Sequence, residues 1–287
     1  MRVLVAGAGW LGSAVARALA ARGDQAIALR RDPARVEPLR APGVTPLALD
    51  LTAPDAAGRL PAFDAVVACQ SAGGDTAEAY RAAYIEANLT LFAAAARHGA
   101  RKLVYTGSTG VFGQRDGDVV TEATPPAPAS PSAEVLVEAE RLVLWGAQGV
   151  PACLLRLSGL YGPGRAGLLT RVREGRLSLG PGDDAYMNFC HLDDAVAFVL
   201  AALDRGEPGA TYHGSDAAPT KRREVVTWIA GQLGVRPARS EVPAGGPNRA
   251  IDSSWTRQVL GVTLRYPTFR DGLAPLIATA SASPHAR

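Results

Sequence analysis

Lysine is almost missing from this 287-residue chain: Lys102 and Lys221 are the only ones, and arginine supplies the other basic side chains. The net charge is only +3, and the longest basic block is Lys221-Arg222-Arg223. Nucleic acid is therefore excluded as a partner, because a basic patch would be needed to meet the phosphates. Cysteine is scarce too. Cys69, Cys153 and Cys190 are scattered and odd in number, which excludes a disulfide scaffold and offers no metal-ligand spacing; buried free thiols are expected. No apolar run approaches the length that spans a bilayer. The opening MRVLVAGAGW reads as a strand and not as a secretory leader. A cytoplasmic protein without membrane contact is the expectation. There is no internal repeat, and no Ser-His-Asp ordering stands out.

What is present is apolar and alternating. Hydrophobic residues make up 47% of the chain, enough for a sizeable core. Short β-branched or apolar runs at Arg2–Ala6, Gln25–Arg30, Val44–Asp50, Asp64–Cys69, Lys102–Thr106 and Ala152–Leu157 read as strands. Helical patterns at Leu11–Arg22, Asp32–Arg40 and Thr76–His98 lie between them. Such alternation predicts right-handed crossovers and a parallel sheet covered on both faces, an α/β doubly wound fold. The stretch Ser130–Leu142 predicts a further helix, capped by Ser130 and opened by Pro131, with Val135, Leu136, Ala139, Leu142 and Val143 on one stripe and glutamates opposite.

The first strand runs into Gly7-Ala8-Gly9-Trp10-Leu11-Gly12, and a helix follows. At that place the pattern predicts a dinucleotide site. Gly7 permits the tight turn, Gly9 lets amides approach a pyrophosphate, and Gly12 lets helix and strand pack closely. The helix N-terminus adds positive dipole. The second strand ends Ala28-Leu29-Arg30-Arg31-Asp32-Pro33. Arg30 and Arg31 stand where a 2′-phosphate would need them, favouring NADP. Asp32 keeps NAD open as the alternative, although before proline it also suits a helix cap.

Five ordered stretches now form a pattern. They are Gly7 to Gly12, Asp50-Leu51, Thr106 to Gly113 (TGSTGVFG), Leu155 to Arg165 (LRLSGLYGPGR) and His191-Leu-Asp-Asp194. The chain resembles the extended short-chain dehydrogenase/reductase family, in its NAD-dependent epimerase/dehydratase branch, over nearly its whole length. The resemblance implies a Rossmann-like nucleotide domain at 1–163, with 188–206 and 248–256 returning to it. It implies a substrate lobe from 164–187 and 207–280; 281–287 is expected to be a disordered tail. Asp50 and Leu51 would sit by the adenine, and Ser108 would match the active-site serine. A small polar, sugar-nucleotide-like substrate is implied, and a homodimer is compatible with it.

In that family a Tyr, with a Lys four residues later, sits on the helix after the serine and carries the proton chemistry. Aligned on Glu140, those places hold Ser132 and Leu136. The residues four before the two lysines are His98 and Ala217, so the pair exists nowhere in the chain. A serine hydroxyl is a far weaker acid than an activated phenol. Either another group moves the proton or no redox turnover occurs, and a silent NADP(H)-binding sensor is the rival reading. Tyr161 is the remaining catalytic candidate, implied to lie near the nicotinamide end. Glu134 and Glu138 are expected on a solvated face, His191 to order the helix that follows it, and Tyr80, Tyr84 and Tyr105 in core or surface. Arg165 and Arg171 could face an anionic substrate or simply water.

Overall fold

The computed structural model describes residues 1–145, 149–243 and 245–282. Its first half alternates as predicted. The elements are β1 (Arg2–Ala6), α1 (Trp10–Ala21), β2 (Gln25–Arg30), β3 (Val44–Ala48), α2 (Ala56–Arg59), β4 (Ala65–Ala68), α3 (Ala77–Arg81), α4 (Ala87–His98) and β5 (Lys102–Ser108). Then come β6 (Asp118–Val120), α5 (Pro131–Trp145) and β7 (Ala152–Leu157). The second half contributes β8 (Gly159–Tyr161), α6 (Gly167–Arg173), β9 (Tyr186–Met187), β10 (Phe189–His191) and α7 (Leu192–Arg205). It continues with β11 (Thr211–Gly214), β12 (Thr220–Lys221), α8 (Arg222–Leu233), β13 (Arg249–Ile251), α9 (Ser254–Val259) and α10 (Phe269–Ala282).

Seven parallel strands form the central sheet in the order β11-β7-β5-β4-β1-β2-β3. Alternation along β1 sends Leu4 and Ala6 to one face and Val3 and Val5 to the other, and each side has its own core. The first core packs beneath α4 and α5; the second packs beneath α1 and α7. β4 and β7 are buried end to end, as strands covered on both faces should be. Strand order reverses between β1 and β4, and an open parallel sheet takes its ligand at such a point, beyond the C-terminal strand ends. No described helix is long and apolar enough to cross a membrane.

A separate cluster holds a lobe of the second half together: Leu169, Val172 and Leu177, the α8 residues Val225, Val226 and Ile229, and Phe269, Leu273 and Ile277 of α10. Pairing and packing outside the seven-stranded sheet join the second half to the first. β13 pairs with β6 and α7 packs on α1, while β10 pairs with β8 within the second half.

Three details differ from the sequence reading. Asp32–Arg40 is not one helix but two single 3₁₀ turns, Pro33–Arg35 and Glu37–Leu39; Pro38 has no amide to donate and interrupts the i→i−4 ladder. Thr211–Gly214, expected in the substrate lobe, is the edge strand of the main sheet. Four residues are too few to display a period. Of the expected tail, 281–282 finish α10 and 283–287 lie outside the described residues.

Candidate functional site

A cleft of about 850 Å³ opens above the point where the strand order reverses. Its floor is the glycine turn after β1, and the turn is fixed by close contact. Gly7 has φ +82°, and a Cβ there would come within 2.4 Å of the Gln70 backbone beyond β4. Gly12 lies against the same turn: its Cβ would meet the Gly7 carbonyl oxygen at 2.4 Å. Gly9 is different. Only the Gly7 carbonyl lies near its missing Cβ, at 3.9 Å, so the space beside it is open cleft. The amide end of α1 has no side-chain cap. An uncapped helix N-terminus behind an open glycine is an anion site, and a pyrophosphate fits it.

Gly7, Gly9, Trp10 and Leu11 line the cleft, as do Arg30, Arg31, Asp50 and Leu51. Gly12 serves by packing and does not line it. The Trp10 indole donates to the Pro163 carbonyl at 2.8 Å and carries the Arg165 guanidinium over its ring, joining the turn to the loop after β8. Asp50 accepts from the Thr52 amide and hydroxyl, at 2.9 and 2.8 Å, and these bonds hold its carboxyl below the usual range. Asp32 is committed elsewhere. It accepts from the Ala34 amide at 3.0 Å, pairs with Arg35 at 3.4 Å, and does not line the cleft.

At the other end the lining is Thr106, Gly107 and Ser108 from β5 and Thr109 just after it, with Leu157 at the end of β7, Ser158, and Gly159 at the start of β8. The Ser108 Oγ accepts from the Gly110 amide at 3.0 Å, which leaves its O–H to donate. The Ser158 Oγ is buried without a hydrogen-bond partner. Gln70, which the sequence reading passed over, and Tyr84, which it expected in core or surface, also line this cleft. Tyr84 lies in a π-helical turn, Ala82–Glu86, between α3 and α4. Asn88, fully buried, donates to the Tyr84 carbonyl at 2.8 Å and accepts from the Gln70 amide group at 2.8 Å. A widened turn of this kind has no signature in residue spacing. Burial raises the pKa of the Tyr84 phenol, with the Ala72 amide opposing. Cys69, also in the lining, has its thiol pushed up to about 12 by burial and is no thiolate nucleophile.

The α5 helix forms as predicted, with the Ser130 Oγ accepting from the Ala133 amide at 3.2 Å. Neither Ser132 nor Leu136 lines the cleft. Ser132 shares a hydrogen bond with Ser130, and Leu136 packs with Val111, Phe112, Val120 and Ile251. Glu138 faces solvent and pairs with Arg81. Glu140 does the reverse: it is buried against Arg156 of β7 through two bonds of 2.9 and 2.8 Å. The structure also keeps Tyr161 out of the cleft lining. It is only 4% exposed, edge-on to Phe189 and His191, and its hydroxyl abuts Gly272 of α10. Burial raises its pKa, and Asp216 adds to that. His191 caps α7, its Nδ1 accepting from the Asp193 amide at 3.2 Å. Arg165 lines the cleft and Arg171 does not. No metal-binding cluster occurs among the described residues.

The family model described as NAD dependent epimerase/dehydratase family matches residues 3–213. The chain is 30% identical over 280 residues to Protein YeeZ of Escherichia coli (strain K12), covering 93% of this chain and 96% of the relative. It is 31% identical over 305 residues to the 3-diazoavenalumate denitrifying reductase of a Streptomyces species, with 95% and 99% covered. Among solved structures it is similar to MoeE5 in complex with UDP-glucose and NAD, at 25% identity and a TM-score of 0.83, covering 99% and 100% of the two chains. The chain belongs to the NAD-dependent epimerase/dehydratase family.

Proposed function

We propose that this member of the NAD-dependent epimerase/dehydratase family is an NADP(H)-dependent oxidoreductase of a small molecule whose reaction draws little on a protein phenol. One observation carries the cofactor preference: Arg30 and Arg31 line the cleft beside Leu29, while Asp32 spends its carboxylate on Ala34 and Arg35. Two guanidinium groups favour a 2′-phosphate, and the acid that would hold a free ribose hydroxyl is absent from the lining. When bound, NADP(H) supplies or accepts the hydride. The chain's own residues do the rest: the Gly7–Gly12 turn and the α1 amides hold the pyrophosphate, Asp50 and Leu51 border the adenine, and Ser108 donates to a substrate oxygen.

The relative named as a reductase of 3-diazoavenalumate supports reduction as the direction, and the solved neighbour holding UDP-glucose supports a polar ligand. The test is calorimetry of NADPH against NADH. NADPH should bind more tightly, and replacing Arg30 and Arg31 with alanine should erase most of the difference. Equal or tighter NADH binding by the unmutated protein would overturn the preference.

The second reading is a dinucleotide sensor without turnover. It is favoured by one observation, the burial of Leu136 in an apolar cluster where a lysine would be needed. A protein that binds NADPH but oxidises it with no carbonyl, imine or diazo compound offered would move to this reading.

A further inference from the structure

Behind the Ser108 end of the cleft lies an arginine that the proposed chemistry has not used. Arg249, on β13, is 8% exposed. Its Nη2 donates to the Thr109 carbonyl at 2.6 Å, and its Nε is buried with no hydrogen-bond partner. No carboxylate among the described residues pairs with it. Burial alone shifts this guanidinium, lowering its pKa to about 10, with no acid opposing. The contrast is Arg156, equally deep, which has Glu140. A buried charge without a counter-charge is costly and is normally paired.

The surroundings lead to the cleft. Thr109, which Arg249 holds, lines the cleft and donates through its hydroxyl to the Leu157 carbonyl at 3.5 Å. The next residue, Ser158, also lines it and has an Oγ without a partner. Asn188 links the two walls, accepting from the Gly159 amide and donating to the Arg249 carbonyl. An unpartnered hydroxyl therefore lines the same end of the cleft as Ser108, and a buried guanidinium stands outside the lining on the carbonyl of Thr109, which does line it.

We infer that Arg249, with Ser158, receives the carboxylate of an anionic substrate and fixes its reactive carbon near Ser108. The inference rests on the oxidoreductase reading above and specifies its substrate class. A carboxylate fits better than a diphosphate because a single guanidinium, with Nη2 already given to the Thr109 carbonyl, brings one positive charge and a free Nε–H.

The experiment is thermal unfolding of the full chain saturated with NADP+, at constant ionic strength, with benzoate or hexanoate, their methyl esters, inorganic pyrophosphate or UDP-glucose added. Both carboxylates should raise the Tm saturably, and the esters should not. Arg249→Ala should weaken the carboxylate response by roughly thirtyfold or more, the usual loss when one partner of a buried charge pair is removed. Arg249→Gln keeps a donor for Thr109 without the charge, so it should fold as the wild type does and lose the same response. Wild-type protein that ignores the carboxylates, or answers esters equally, overturns the inference. So does a response to pyrophosphate or UDP-glucose alone, or a carboxylate response that survives Arg249→Gln. The NADP+ shift, read in the same series, separates the two proposals: without it the oxidoreductase reading fails, and with it but no carboxylate shift only this inference fails.

Discussion

The glycine turn after β1 and the first turns of α5 are the two places where this family's chemistry would be sought, and they have met opposite fates. At the glycine turn every constraint is steric and is kept: Gly7 touches the Gln70 backbone, Gly12 touches Gly7, and Gly9 stays open. On α5 the packing is kept and the chemistry is not. Val135, Ala139 and Val143 still bury in the core and Glu140 still pairs with Arg156, while Ser132 and Leu136 stand away from the cleft. A helix can therefore keep its structural face after its reactive face is gone, because the two are carried by different residues. The binding half of the site and the proton-transfer half are separable.

The comparison breaks first, and with the largest effect, if the buried face of α5 proves dispensable. Glu140→Ala leaves Arg156 as an unpaired charge at 5% side-chain exposure, over the Phe112 ring. Loss of one partner from a buried pair should cost about 3–5 kcal/mol in urea unfolding. A variant of unchanged midpoint would mean that the helix is retained for something other than packing. Gly12→Ala probes the turn. Its Cβ would sit 2.4 Å from the Gly7 carbonyl, so overpacking should cost about 1–3 kcal/mol and weaken NADPH binding as the turn shifts. Full stability together with full NADPH affinity would show that the turn is not held by contact.

Those two positions also mark how far the sequence could be read. β1, β2 and β7 were legible to the residue, because strands buried on both faces are continuous apolar runs between turn residues. The glycine turn was legible because its demands fall on a single residue type at fixed spacing. Tyr84 was not: its place in the cleft depends on a π turn held by Asn88 and Gln70, partners from different elements. Arg249 was not legible either, since a lone arginine in a short edge strand reads the same whether it faces water or lies 8% exposed behind Thr109. Tyr161 shows the converse. The family resemblance implied the cleft, but Phe189 of β10 and Gly272 of α10 claimed its ring. Sequence spacing carries local geometry, and these three sites are set by tertiary packing.

A pH series sharpens the comparison from a third place, the buried Asp216 beyond β11. Burial pushes its carboxyl up to about 8, Asp194 and Asp271 add to this, and Arg257 opposes. In the unfolded chain it titrates near 4, so between about pH 4 and 8 the folded state holds a proton that the unfolded state has lost. The stability from this group is complete below about pH 4 and falls as pH rises through about 8. Asp216→Asn should flatten that fall, read as Tm between pH 5 and 9, and leave the pH dependence of NADPH binding unchanged. A wild-type curve that already lacks the fall would contradict a buried, protonated Asp216.

The smallest expected effect is the most telling for the two turns. Aligned on Glu140, Ser132 takes the place of the family's tyrosine, yet its hydroxyl bonds Ser130 and lies outside the cleft lining. Ser132→Ala should therefore change kcat by less than about twofold with any substrate that is turned over. A group supplying general acid catalysis contributes roughly a hundredfold to ten-thousandfold, so a real donor at this position would be unmistakable. Ser108→Ala is the matched control. Its Oγ is held by the Gly110 amide with the O–H free to donate, inside the cleft. Losing a hydrogen bond that strengthens in the transition state should lower kcat about tenfold or more. The pair must be measured side by side, in steady-state kinetics with NADPH saturating. A collapse for Ser132→Ala beside an active Ser108→Ala would place the chemistry back on α5 and undo the separation of its two faces.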